Sequence, residues 1–561
     1  MTSESLLRER RAVCFGIMKP SVFCCSLLAL SISSAEEEWQ SLFNGRDLTG
    51  WSVTLDRGAA GEDPDSLVQV RDGAIHMYAD TDPSVKVPFG VITHERTFSR
   101  FHLTLEYRWD EKKFAPRKDA IRDAGLLYHA SSTDKVWPDS VECQIQEGDT
   151  GDLIFIGESG LSWAHPDPDR APEGQGDAGL LPENGGFLRK GGSFTYFGRF
   201  PEHDDLTGWN RVEVIVHADE SAEHIVNGHT RVRVADMQHL KGGALKEGKI
   251  CLQLEGAEVL YRKIEVRELA EPLRANQRLV SLSAVKGTPS RSQTITITNP
   301  LDHAVSAGLS VIGKDASAFD VIGDTLTLGA GESMNVSVRF KPTHGAARYS
   351  AGLRVGSAEE GAFVILQGVG LQAFEGKNEP PLQLIVDAFG IPVNVGSRAL
   401  ELDTKDAVVG DGVAAPYFQK AGEGKVRITP LARFSPPGTT PFGMVVKGTT
   451  DLVELGNLAD SETVADAHQS VLPPLSGEEP SVSFDAPEQG FAVYLHAHQY
   501  VSFTDPELPT EAKIAHTARV FPVTHFQGKA MENSWLIGFE EAANGDYQDA
   551  LFLIENVQPQ P

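Results

Sequence analysis

A chain of 561 residues is too long for one β-sandwich and fits about two to four domains, with length enough to bury several cores. Its 78 Asp and Glu against 50 Lys and Arg leave a formal charge of −28, which disfavours nucleic acid or an anionic membrane held by a general electrostatic field. Neutral sugars are compatible with that charge, and acidity also keeps an exported protein soluble.

Residues 1–35 read as a secretory signal peptide: basic residues, then an apolar run from Val22 to Ile32, then Ser33-Ser34-Ala35 with small residues placed for cleavage after Ala35. Met18-Lys19 heads a compact signal of its own, so Met1 and Met18 are both candidate starts. No later apolar stretch is long enough to span a bilayer, and the mature protein is expected to be exported, periplasmic or extracellular. Cys14, Cys24 and Cys25 leave with the signal, so the mature chain keeps Cys143 and Cys251 and has no disulfide framework.

From Trp39 to about Leu269 the pattern is alternating β with turn punctuation. Phe101, Leu103, Leu105, Tyr107 and Trp109 share one strand face, with His102, Thr104, Glu106 and Arg108 on the other. Asn227-Gly228, between two such runs, predicts a type I′ hairpin. Residues 157–192 form an extended Gly/Pro/Asp-rich loop, a lid or a decorated edge, holding Trp163, His165 and Asp167. In Ser140 to Gln146 the alternation puts Ser140, Glu142, Gln144 and Gln146 opposite Val141, Cys143 and Ile145. In Ile250 to Glu255 it puts Cys251, Gln253 and Glu255 opposite Ile250, Leu252 and Leu254. Two readings follow: ordinary solvent faces, or the floor of a polar groove whose carboxamides and carboxylates suit sugar hydroxyls. Cys143 and Cys251 fall on opposite faces, one apolar and one polar, and are expected to be free thiols. Glu147, Asp149 and Asp152 are either cation ligands or solvated loop carboxylates.

The segments LFNGRDLTGW, DAGLLYHA, SVECQIQEGDTGD, GWNRVEVIV, HIVNGHTRV and GKICLQLEGAEVLYRKIEVREL follow one another between Leu42 and Leu269. Together and in this order they resemble the bacterial 3-keto-disaccharide hydrolase family. The resemblance implies a concanavalin-like jelly roll over residues 36–275, with the strands holding Glu142 and Gln253 and the segment holding Asp123 and Tyr128 lining the site. It implies Glu142, Gln144 and Glu255 as catalytic candidates, with Glu142 the first choice of base. Asp123, Tyr128, Gln253 and Arg262 follow as substrate-binding candidates, and Trp163 is a candidate stacking residue from the loop. Many relatives carry His-Gly after the Gln, where this chain has Glu255-Gly256. The family chemistry starts from a sugar oxidised at C3, whose ketone acidifies the C2 proton and permits elimination of the C1 oxygen; water addition then completes net hydrolysis. An ordinary retaining glycosidase needs two carboxylates, whereas the positions alternating with Glu142 are the amides Gln144 and Gln146. The alternative reading is a non-catalytic carbohydrate-binding or cell-surface adhesion protein.

Residues 276–373 resemble the Ig-like modules attached to bacterial secreted proteins, through SQTITITNPLDHAV, LTLGAGESMNVSVRFKP and FVILQGVG, and short alternating strands predict a seven-stranded sandwich acting as a spacer. Residues 374–561 form a last β-rich accessory domain, so the expected fold class is all-β throughout. Its closing turn, GFEEAANGDYQDALF, resembles acidic turns of extracellular β-sandwiches, with Glu541, Asp546 and Asp549 as calcium candidates beside Glu540 and Asn544. Solvated turn carboxylates are the other reading. Calcium or another divalent metal is thus the one cofactor the sequence suggests, and the expected partner is an oxidised glycoside.

Overall fold

The computed structural model describes residues 38–57, 61–132, 134–157, 159–160, 181–186, 192–193, 196–197, 202–477 and 479–560. The segment read as a signal peptide, Trp163, His165 and Asp167 lie outside them. The described chain is almost entirely β, and no helix among the described residues is long and apolar enough to cross a membrane. From Trp39 onward it forms one compact unit.

Two antiparallel sheets make the first sandwich. One runs in the order His229–Ala235, Ser221–Val226, Asn210–His217, Arg100–Lys113, Ala257–Glu268, Ala74–Met77, Val68–Arg71. The other runs Tyr196–Phe197, Leu153–Ile156, Ser140–Gln146, Asp123–Ala130, Gly248–Leu254, Gly90–Phe98, Trp51–Leu55. Both obey the period of two: Phe101, Leu103, Leu105, Tyr107 and Trp109 of one sheet meet Val141, Cys143, Ile145, Ile250, Leu252 and Leu254 of the other in a single core. Each such aliphatic or aromatic side chain contributes about 1.5–3 kcal/mol on full burial. The Asn227-Gly228 turn closes its hairpin with positive φ at both residues, 49° and 83°, as a type I′ turn requires.

The second sandwich has sheets of four and five strands where seven in all were expected; short edge segments such as Arg274–Ala275 and Phe319–Val321 supply the excess. Its Leu279–Val285 strand pairs parallel to Ala362–Leu371. The third has two six-stranded sheets, and one of its two cores reaches back to Val369 and Leu371 while taking in the helix Leu382–Ala388.

A candidate active site on the outer face of the first sandwich

Because Val141, Cys143 and Ile145 enter the core, Glu142 and Gln144 leave it; because Ile250, Leu252 and Leu254 enter, Cys251 and Gln253 leave. On the strand between them Ala124, Leu126 and Tyr128 enter, so Asp123, Gly125 and Leu127 leave. The registers Leu127↔Glu142 and Leu127↔Cys251 set the three strands side by side. Glycine at 125 is what lets the polar groups converge. A Cβ there would lie 2.0 Å from Gln253 Oε1 and 2.1 Å from Glu142 Oε1, so the two side chains meet over a bare Cα.

Both groups are deeply buried, Glu142 at 4 % exposure and Gln253 at 1 %. Neither Oε1 nor Nε2 of Gln253 has a hydrogen-bond partner among the described residues. An unsatisfied buried polar group costs about 1–3 kcal/mol, which marks the Gln253 amide as a candidate binding group on this face. Gln144, also buried, accepts the Ile145 N–H at 3.1 Å.

Glu255 stands just beyond the same strand as Gln253, where Gly256 at φ +80° turns the chain and its carbonyl accepts the Phe114 N–H at 2.8 Å. That bond anchors the loop carrying Arg117. Arg117 ion-pairs with Asp123, and its Nη1 lies 3.6 Å from Glu255 Oε2. Trp137 Nε1 donates to Glu255 Oε1 at 3.5 Å; its ring, 39 % exposed, meets Phe89 edge-on at 5.6 Å.

Burial separates the acids. Desolvation, then the charges of Glu255 and Asp123, push the Glu142 carboxyl well above its ordinary range. Desolvation and Asp123 also raise Glu255, to about 7, with Arg117 and the Trp137 bond opposing. Asp123 is raised by burial against the pull of Arg117. The face therefore carries one carboxyl held well above its ordinary range beside a second raised to about 7.

Several sequence expectations are corrected. Tyr128 faces the core, wholly buried, with its hydroxyl 3.0 Å from His224 Nε2; alternation puts it on the side of the sheet opposite Glu142. Arg262 belongs to the other sheet, where its Nε donates to Glu106 Oε2 at 2.7 Å and its guanidinium stacks on Trp209 at 3.8 Å. Cys143 and Cys251 are free and on opposite faces, but Cys251 sits in an apolar patch with Val91, Leu127, Ala130 and Ile156. Glu147 pairs with Arg122 at 3.0 Å and Asp152 with Arg231 at 3.2 Å, so protein cations already meet two of that acidic run. The structure brings Asp123, Glu142, Gln144, Gln253 and Glu255 onto one face. It adds Gly125, Arg117 and Trp137, which sequence reasoning missed. The signals available were a glycine at an outward position and a basic residue ahead of DAGLL. Elsewhere, Glu541, Asp546 and Asp549 are buried together with Glu540 in the closing turn of the third sandwich.

Residues 38–267 match the family model described as a 3-keto-alpha-glucoside-1,2-lyase-like domain, which gives the first sandwich a carbohydrate-related role. No curated protein matches the chain. Among solved structures, the carbohydrate-binding module CBM66 from Bacillus subtilis is 10% identical, over 40% of this chain and 98% of that one, with a TM-score of 0.24. A Bacillus subtilis protein of unknown function with a galectin-like fold is 15% identical, over 41% and 94%, at 0.24. Porphyranase B from Zobellia galactanivorans is 10% identical, over 41% and 92%, at 0.24. These likenesses carry no functional argument.

Proposed function

Taking as premise that residues 38–267 form a 3-keto-alpha-glucoside-1,2-lyase-like domain, we propose that this is an exported enzyme cleaving 3-keto-glycosides by C2 proton abstraction and β-elimination, with net hydrolysis. The observation that carries the reading is the placing of Glu142 and Glu255 on one face, with Arg117 and Trp137 beside Glu255 alone; burial raises Glu142 well above its ordinary range and Glu255 to about 7. This moves the base from Glu142, the first choice from sequence, to Glu255. Ionised Glu255 takes the C2 proton. Neutral Glu142 donates a hydrogen bond to the C3 oxygen, on which negative charge develops. The C1–O bond then breaks, the released oxygen gains a proton, and the sugar leaves as an enone. Water adds at C1 while the proton returns to C2, so alcohol and 3-keto sugar balance glycoside plus water. Gln253, with both amide atoms free, and Gln144 orient sugar hydroxyls, and Asp123 holds Arg117 beside Glu255.

The test is mass-spectrometric turnover of 3-keto-glucosides and their unoxidised counterparts by the purified chain. Cleavage confined to the oxidised sugars, with C2 deuterium incorporation in D₂O, is the expected result. Hydrolysis of both would point to ordinary glycosidase chemistry. The exposed Trp137 beside Phe89 favours a second reading, a sugar-stacking platform without catalysis. Binding of intact glycans with no turnover of any 3-keto sugar would select it.

A further inference from the structure

The turn between strands Ser534–Phe539 and Ala550–Glu555 carries Glu540, Glu541, Asp546 and Asp549, all buried, with Glu379 of the preceding segment buried nearby. One carboxylate oxygen each from Glu540, Asp546 and Asp549 lies within 4.8 Å of the other two. Oxygens bound to one Ca²⁺ at about 2.3–2.6 Å can stand up to about 5 Å apart, so that spacing suits a shared ion.

The hydrogen bonds show which oxygens shape the turn and which are left over. Glu540 accepts from the N–H groups of Ala542 at 2.9 Å, Gly545 at 2.8 Å and Asp546 at 2.9 Å, and Asp549 accepts from the Glu541 N–H at 2.6 Å. Asp546 Oδ2 takes a bond from Asn544, but Oδ1, on a residue only 1 % exposed, has no partner. Glu541 Oε2 and the Oε1 of fully buried Gln548 are also without hydrogen bonds. The orphaned atoms are all oxygens.

Among the described residues no Lys or Arg ion-pairs with any of these five carboxylates; only His498 Nδ1 approaches, 3.7 Å from Glu541 Oε2. Buried Arg433, whose charge acts on Glu541, makes its hydrogen bonds to Ser435 Oγ and the carbonyls of Ala459, Pro436 and Gly438 and to none of these carboxylates. By contrast the cluster of His76, Asp110 and Glu258 has Lys112 Nζ 3.0 Å from Glu258, and so has its counterion. Buried carboxylates without a counterion must hold protons or a metal.

We propose that the turn spanning Glu540 to Asp549 is a calcium site, with Glu540, Asp546 and Asp549 as carboxylate ligands and Glu541 and Gln548 supplying further oxygens. Oxygen-only donors, most of them charged, select a hard divalent cation, and backbone-fixed carboxylates flexible in denticity suit Ca²⁺. Gln548 donates to Glu379 at 3.1 Å and Gln469 donates to it at 2.7 Å, so the ion would brace the turn against the segment leading out of the second sandwich.

The experiment uses the full chain stripped with chelator, titrated with CaCl₂ by calorimetry and melted with and without Ca²⁺. One ion per chain is expected, with an upward shift of about 5–10 °C for the third sandwich at a hundredfold excess over Kd. Asp546→Asn and, separately, Asp549→Asn should lose the binding heat and the shift. In chelator each should melt no lower than wild type, since a buried repulsion has been removed. An unchanged wild-type melt with no binding heat would overturn the site without recourse to any variant. So would a calcium shift persisting in both substitutions. The site is independent of the proposed enzyme chemistry, and Glu255→Gln should bind calcium as wild type does.

Discussion

The chain holds two buried acidic clusters that solve the same electrostatic problem differently. On the first sandwich, Asp123 and Glu255 share the cation Arg117, and Glu142, which forms no ion pair of its own among the described residues, is raised well above its ordinary range by burial and by those two acids. In the third, Glu379, Glu540, Glu541, Asp546 and Asp549 are buried with no Lys or Arg ion pair among the described residues, although the Arg433 charge acts on Glu541, while Asn and Gln side chains and backbone N–H groups bond Glu379, Glu540, Asp546 and Asp549. A protein cation with one proton-accepting acid suits proton transfer. Oxygen ligands with no internal counterion suit a metal. The comparison shows that the neighbours of a carboxylate, more than their number, decide what a cluster can do.

The largest expected effect is on the base. Glu255→Gln removes the lone pair that accepts the C2 proton and should lower kcat/KM for a 3-keto-glucoside by about 10²–10⁴. Glu142→Gln should lose less, because an amide N–H still donates to the ketone. If Glu142→Gln proves the more damaging, the two roles must be exchanged. Wild-type kcat/KM should rise with pH through about 7 as Glu255 ionises. Stability should move the other way. The folded value lies above the ordinary 4.5, so the unfolded chain ionises first and stability falls as pH rises between 4.5 and about 7. Glu255→Gln should flatten that slope in a pH series of melts.

Gly125→Ala comes next. Its methyl would strike only the mobile ends of Gln253 and Glu142, so the fold should survive while displacement of both groups costs about 10² in activity. A variant that melts like wild type and turns over like wild type would remove these side chains from the site. Arg117→Met removes a charge that lowers Glu255 and should move the rising limb of the pH profile to higher pH, a readout that a purely structural loss would not produce. The smallest effect belongs to Tyr128→Phe, which should cost about 1 kcal/mol of stability and leave kcat/KM alone, because its hydroxyl bonds His224 inside the core.

Much of this was written in the sequence, because strand alternation is local. The outward placement of Glu142, Gln144 and Gln253, the inward placement of Val141 and Ile250, the Asn227-Gly228 turn and the all-β class need only a period of two and a turn rule. The same rule, applied to DAGLLYHA, puts Tyr128 opposite Asp123 and Gly125, so its inward position was legible, though the family resemblance pointed the other way. Tertiary structure alone decided what depends on partners distant in the chain: that Arg262 lies in the opposite sheet facing Glu106, that Cys251 meets an apolar patch, and that the loop at Arg117 folds over Glu255. The different environments of Glu142 and Glu255, on which the proposed assignment of roles rests, belong here too. Residue type and spacing do not distinguish a wholly buried carboxyl from a slightly less buried one beside an Arg, while desolvation and neighbouring charge, which shift them, are properties of everything packed around them.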